Sequence, residues 1–273
     1  MATVDVHAHL SDHAFEHDID DVISKAKEAG VAAALVVSES LSDFPLVLGL
    51  ADRHPDFVLP CLGLHPVQPD SEAVDSFGQR SVTIKDYEEA EAVLEEHHHR
   101  LAAIGEIGLD FTPRVCRTPE EKEAQREVFS RQIKLAQKYD LPVNVHSRSA
   151  GIHAINLLKE LGATKVLLHA FDGKASSALT GVESGFFFSV PASICRSPQK
   201  QKLVSRLPMS NLLLETDSPA LAPEKMERNV PANISISCEH VAQIKKMSIS
   251  EVKEITTQNA IRLFPTLAKL VHR

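Results

Sequence analysis

Short apolar runs alternate with longer amphipathic ones from the first residues onward. Val4-Asp5-Val6-His7-Ala8-His9-Leu10 switches between apolar and polar at every position, and a period of two puts Asp5, His7 and His9 on one face of a strand. Asp18–Ala29 carries the helical period, with Ile19, Val22, Ile23 and Ala26 inward and Gly30 as its stop. Ala33–Ser38 reads as a second strand bringing no obvious ligand, Phe44–Arg53 as a second helix, and Phe57–Leu64 as a third strand halting at Gly63-Leu64-His65-Pro66. Positions 67–83 are irregular and polar, a surface excursion, and Tyr87–Glu96 is a strongly acidic helix. The run His97-His98-His99 resembles a metal tract, but three adjacent residues on a helix point in different directions, so it reads as a solvated helix end.

The second half repeats the alternation. Leu101–Asp110 is an apolar strand that delivers one carboxylate, Glu106, flanked by Gly105 and Gly108. Thr118-Pro119-Glu120-Glu121 is a capping box with proline at the first helical position, opening a helix that runs to about Asp140. Strands follow at Pro142–Arg148, Lys165–His169, Gly185–Val190 and Asn211–Asp217, with helices between them, one over Lys174–Glu183 and one after Pro198. Eight strands in strict β-then-α alternation predict a single α/β domain over residues 1–273, a closed (β/α)8 TIM-type barrel with its active site at the C-terminal ends of the strands. An open doubly wound sheet is disfavoured because no Gly-x-Gly-x-x-Gly follows the first strand.

The candidate chemistry sits at those strand ends. A carboxylate in a run as apolar as that around Glu106 must be paired or bound to a metal, because burying it bare costs several kcal/mol, roughly. Of the fourteen histidines, His7, His9, His65, His146 and His169 end predicted strands, and in a barrel those ends form one rim. Four imidazoles with Glu106 and Asp217 exceed what one tetrahedral ion needs, so two metals are the more economical reading. Glu215 shares the strand face of Asp217 and is expected deeper in the barrel, orienting a ligand, and Asp5 stands in the same relation to His7.

Charge and cysteine content narrow the partners. The net charge of −8 rules out general attraction to polyanions, so any nucleic-acid contact is local. Positions 184–214 hold no acidic residue but carry Arg196, Lys200, Lys202 and Arg206, and loops after the seventh and eighth barrel strands are frequent phosphate sites. Arg196 and Lys200 are therefore expected to contact backbone phosphates. No tryptophan and two tyrosines argue against an extended base-stacking platform. Cys61, Cys116, Cys195 and Cys238 show no Cys-x-x-Cys spacing, which points to a reducing, intracellular setting in cytoplasm or nucleus. No leader peptide, membrane span or protein partner is expected.

Taken together, the chain resembles the TatD family of metal-dependent deoxyribonucleases, among the amidohydrolase-like barrels. The resemblance runs through Asp5-x-His7-x-His9, Gly63-x-His65-Pro66, Gly105-Glu106-Ile107-Gly108-Leu109-Asp110, His146-x-Arg148-x-Ala150, His169-x-Phe171 with Gly173, and Glu215-Thr216-Asp217-x-Pro219. It extends to Arg228-Asn229-x-Pro231 and Asn259-Ala260-x-Arg262-Leu263-Phe264. It implies that His7, His9 and Asp217 bind one divalent ion, His146 and His169 a second, and that Glu106 bridges them, with His65 and Arg148 holding phosphate. It also implies catalysis by Glu106 and Asp217, the latter as ligand or proton acceptor, on a DNA substrate. Zinc, manganese, iron or magnesium remains open as the ion. Asp172 replaces a small residue usual in the His-x-Phe-x-Gly turn, and the excursion over 67–83 is longer than typical; both bear on substrate choice. The expected activity is a phosphodiesterase, an exonuclease or an abasic-site endonuclease. The alternatives are an amidohydrolase-type enzyme acting on a small amide, lactone or phosphotriester, and a noncatalytic metal or nucleic-acid binding protein.

Overall fold

The computed structural model describes residues 2–70 and 78–271. Eight strands form one sheet in sequential order: β1 (Thr3–Ala8), β2 (Val31–Val37), β3 (Val58–Leu62), β4 (Ala103–Gly108), β5 (Val143–His146), β6 (Val166–Leu168), β7 (Phe187–Val190) and β8 (Leu212–Leu214). Every neighbouring pair in that order is parallel. Helices α1 (Ile19–Glu28), α2 (Phe44–Arg53), α3 (Ile84–His97), α4 (Pro119–Lys138), α5 (Gly151–Glu160), α6 (Ala175–Glu183), α7 (Pro198–Arg206) and α8 (Ile234–Lys245) each follow the strand of the same number, and α9 (Ile249–Leu263) comes after them. This is the TIM-type barrel expected from the alternation.

The strand period is legible in the packing. Leu167, Phe187 and Leu213 share one face with His169, Ser189 and Glu215 and fall in one buried cluster. Leu168, Phe188, Leu212 and Leu214, on the opposite face, join Leu158 of α5, Leu203 of α7 and Val241 of α8 in another. The first and last strands meet without a regular ladder. Their seam is held by Asp217 N–H donating to the His7 carbonyl (2.9 Å) and His9 N–H donating to that of Ser218 (2.7 Å). Asp5 completes it, accepting the Thr216 amide at 2.9 Å and the Thr216 hydroxyl at 2.5 Å.

Several boundaries differ from the expectation for identifiable reasons. Helix α3 begins at Ile84, three residues before the acidic stretch, because Thr83 and Asp86 form a reciprocal capping box. The excursion over 67–83 is not wholly irregular: Val67–Pro69 pairs antiparallel with Gln79–Ser81, and residues 71–77 lie outside the described residues. His98 stacks on Tyr139 at 3.8 Å between ring centroids, so the histidine run is partly packed rather than wholly solvated. The four cysteines are free thiols. No helix among the described residues is long and apolar enough to cross a membrane.

The glycines around Glu106 admit neighbouring chain rather than ligand. A Cβ on Gly105 would fall 2.6 Å from Asn144 Cβ, and one on Gly63 would fall 2.6 Å from Ile107 Cγ2. At Gly108, where φ is +147°, a Cβ would meet the His146 carbonyl oxygen at 2.0 Å. Gly108→Ala is therefore expected to lose about 2–4 kcal/mol of stability in denaturant unfolding. Gly49→Ala, in α2 with its nearest neighbour at 3.9 Å, should instead gain about 0.5–1 kcal/mol. Equal stability of the two variants would contradict this account of β4 and β5.

Candidate metal centre

Glu106 lies near the end of β4, 2% exposed, and its two carboxylate oxygens face two different sets of donors. Oε2 is 3.6 Å from His7 Nε2 and 3.4 Å from His9 Nε2. Those imidazole nitrogens are 3.3 Å apart, and Asp217 Oδ1 is 3.4 Å from the first and 3.3 Å from the second. Four donors about 2.1 Å from a common centre, the usual spacing for zinc with nitrogen and oxygen ligands, form a tetrahedron with edges of about 3.4 Å. Five of its six edges can be measured between these four atoms, and all lie between 3.3 and 3.6 Å. The first donor set therefore fits a divalent cation.

The second set is drawn tighter. Glu106 Oε1 lies 2.8 Å from His146 Nδ1 and 2.7 Å from His169 Nε2, which are 3.4 Å from one another. These are hydrogen-bond lengths, so protons on the imidazoles hold this group together. His65 Nε2 stands 3.6 Å from the same oxygen. His65 Nδ1 lies 3.0 Å from the Val67 amide and 3.1 Å from the Val67 carbonyl oxygen, so the Val67 backbone orients the ring with Nε2 facing inward.

The electrostatics follow from packing acids and imidazoles together out of water. Burial works against the charge on Glu106, but the imidazoles of His169, His65 and His7 hold its carboxyl well below the usual range. Asp217 is likewise buried and is held far down by hydrogen bonds from His7 and His9. Burial disfavours the His9 cation, yet its hydrogen bond to Asp217 and the nearby Glu39 and Glu106 carry it up to about 10. His146 rises to about 9 against its burial, through Asp110 and Glu106. His169 falls to about 4, through burial and the neighbouring His7, on which it stacks at 3.7 Å.

Around these groups stands a set of orienting partners, only some of which were expected. Glu215 is fully buried, accepts the Ser189 hydroxyl at 2.6 Å on Oε2, and brings that oxygen 3.8 Å from His169 Nδ1. Burial pushes its carboxyl up to about 8. Asp5 touches no ligand ring. It accepts the His7 amide at 3.3 Å and closes the seam to Thr216, so it orients backbone rather than imidazole. The partner of the His7 ring is instead Asn144 on β5, whose Oδ1 is 2.9 Å from Nδ1 and whose amide donates to the Val6 carbonyl. Asp110 Oδ2 lies 3.2 Å from His146 Nε2. Asn144 was legible only as a polar residue between buried Val143 and Val145. Glu39, one residue beyond the strand thought to bring no ligand, has a carboxylate oxygen within 4.8 Å of donor atoms of His9 and Glu106.

The centre lies at the base of a cavity of about 450 Å³ whose lining includes His65, Arg148 and Lys200. Arg148 is exposed at its edge, while Lys200 is half-buried and donates to the Ala170 carbonyl at 2.9 Å. Burial lowers the affinity of this amine for its proton, offset in part by Glu215 and Asp172. Arg196 is not among the lining residues; its guanidinium donates to the Ala222 carbonyl at 3.1 and 3.2 Å. In place of the expected phosphate contact Arg196 braces the loop after β8, because it ends the short 3-10 turn Ala192–Arg196 ahead of α7 and points to that loop, not to the cavity.

Comparison with known proteins adds four findings. The family model described as TatD related DNase matches residues 4–265. The chain is similar to human "Deoxyribonuclease TATDN3", 56% identical over 273 residues covering 100% of this chain and 98% of that protein. It is also similar to the "3'-5' ssDNA/RNA exonuclease TatD" of Erwinia tasmaniensis, 31% identical, covering 95% of this chain and 98% of the other. Among solved structures, the TatD homologue YjjV of Escherichia coli superposes with a TM-score of 0.83 at 26% identity, covering 96% and 98% of the two chains.

The two donor sets should load unequally. In calorimetric titration of metal-stripped protein, the set already at ligand spacing is expected to fill first and more tightly; His9→Ala should remove that step and His146→Ala the weaker one. Affinity should rise with pH as protons leave His9 and His146. A single pH-independent step unaffected by His146→Ala would count against the assignment.

Proposed function

Because the chain belongs to the family of TatD related DNases, and is a metal-dependent hydrolase by that membership, we propose that it hydrolyses phosphodiester bonds in DNA, removing nucleotides from a strand end or incising at an abasic site. The observation that carries this is one buried carboxylate facing two nitrogen-rich donor sets at the base of a cavity edged by Arg148 and Lys200. His7, His9 and Asp217 would hold one divalent cation and His146 and His169 a second, with Glu106 facing both sets. When bound, such ions supply Lewis acidity toward a phosphoryl oxygen and a water made nucleophilic near neutral pH.

The remaining work falls to the side chains. His65 donates from Nε2 to a phosphoryl oxygen, and Arg148 and Lys200 attract the phosphates of the strand being cut. Asp217, kept ionised by its imidazole neighbours, holds a ligand position and accepts the proton released as water attacks. Asn144 fixes the ring of His7 so that it presents Nε2 to the centre, while Glu215, 3.8 Å from His169 Nδ1, stands behind the His169 ring without a hydrogen bond to it. The basic residues are what favour phosphate over an amide or lactone, since a neutral carbonyl substrate has no use for them.

Metal-stripped protein refilled with single ions should release nucleotides from an end-labelled single strand, and Glu106→Ala should lower kcat by about a thousandfold or more. Cleavage that survives both chelation and Glu106→Ala would refute the reading. Lys200→Ala and Arg148→Ala should each raise KM and flatten the salt dependence of binding by about 0.7 in log–log slope. Arg196→Ala, with its guanidinium committed to Ala222, should leave that slope unchanged.

A further inference from the structure

The mouth of the cavity is divided by charge. Consecutive strands are neighbours around the barrel, so the ends of β1 and β2 stand across from those of β5 and β6. Asp12, after β1, and Glu39, after β2, line the mouth on the first side. Arg148, after β5, and Lys200, on α7, line it on the other, where Asp172 offsets one of their charges, and Arg114, after β4 and donating to Gln79 at 3.0 Å, lines the stretch between the two sides. Asp110 is taken up by His146 at 3.2 Å, whereas Glu39 has a carboxylate oxygen within 4.8 Å of donor atoms of His9 and Glu106. Its backbone is pinned: the amide donates to Asp43 at 3.0 Å, and the carbonyl accepts the His65 amide and the Gln68 side chain, both at 2.8 Å. The exposed carboxylate thus extends into the mouth from a fixed backbone.

A polynucleotide carries a phosphate on both sides of every internal nucleoside. One acidic and one basic flank around a single scissile phosphate are therefore mismatched to the middle of a strand. They match a strand end, where the terminal nucleoside bears hydroxyls, which donate to carboxylates, and the rest of the strand bears phosphates. We propose that this split mouth selects strand ends carrying a free hydroxyl: the phosphate-bearing strand lies along the Arg148 and Lys200 side, the terminal nucleoside along the Glu39 and Asp12 side, and Glu39 rejects an end that carries phosphate. This rests on the phosphodiesterase reading above.

The test uses metal-loaded enzyme and single-stranded oligonucleotides in matched pairs ending in hydroxyl or phosphate, one pair differing at the 3′ terminus and one at the 5′ terminus. At the end from which nucleotides are released, the hydroxyl form should be cut at least about tenfold faster. Glu39→Gln should bring that ratio toward unity, mainly through a lower KM for the phosphorylated end, and Asp12→Asn should move it part of the way. Equal rates on both members of each pair with the unaltered enzyme, or a preference that persists in Glu39→Gln, would overturn the proposal. So would loss of bound metal from Glu39→Gln relative to the unaltered enzyme, which would make Glu39 a ligand. Absence of metal-dependent cleavage on every oligonucleotide would instead overturn the phosphodiesterase reading.

Discussion

A carboxylate removed from water must be satisfied on both oxygens, and at Glu106 that requirement organises the mouth of the barrel. One oxygen meets His7 and His9 from β1 and the residue after it; the other meets His146 at the end of β5 and His169 after β6. Strand β4 can present the acid to both because its glycines and Gly63 let β3 and β5 close in on either side without side-chain interference. A bulkier β4 would force the neighbouring strands apart, and the two donor sets could no longer share a bridging group.

The two sets are held differently, and the difference is electrostatic. The atoms around Oε2 stand at the spacing of ligands about a common centre, whereas those around Oε1 are drawn to hydrogen-bond length. Buried acids and imidazoles stabilise one another as ions, which raises His9 and His146 while it lowers Glu106 and Asp217. A divalent cation held there would replace those protons with a larger positive charge at the same place. Asn144 meanwhile keeps the outer nitrogen of His7 occupied, whereas that of His169 is buried with Glu215 3.8 Å away and no hydrogen bond.

The charge of the whole molecule says little about this mouth. A net −8 coexists with Arg148 and Lys200 beside the candidate metal centre, because the excess acids are spread over helices such as α3 while the cavity has its own local distribution. What a phosphate experiences on arrival is set within about a Debye length, on the order of 10 Å. Inside that radius the side of the mouth matters more than the sum over the chain.

The sequence by itself determined the barrel and the donors. Strand and helix periods, the capping box at Thr118 and the placing of His7, His9, His65, His146 and His169 near strand ends are all properties of a few consecutive residues, and local spacing records them faithfully. What only the tertiary structure decided is which distant groups serve those donors. Asn144 reaches His7 across 137 positions, Asp5 reaches Thr216 across 211, and Glu39 enters the mouth from a strand whose own pattern names no ligand. Arg196 and Lys200 lie four residues apart in one basic stretch, yet one braces the Ala222 carbonyl while the other lines the cavity. Periodicity specifies the face of an element from which a side chain departs. Where a long side chain ends, and which partner from another strand meets it there, depends on how the closed barrel brings remote backbone together.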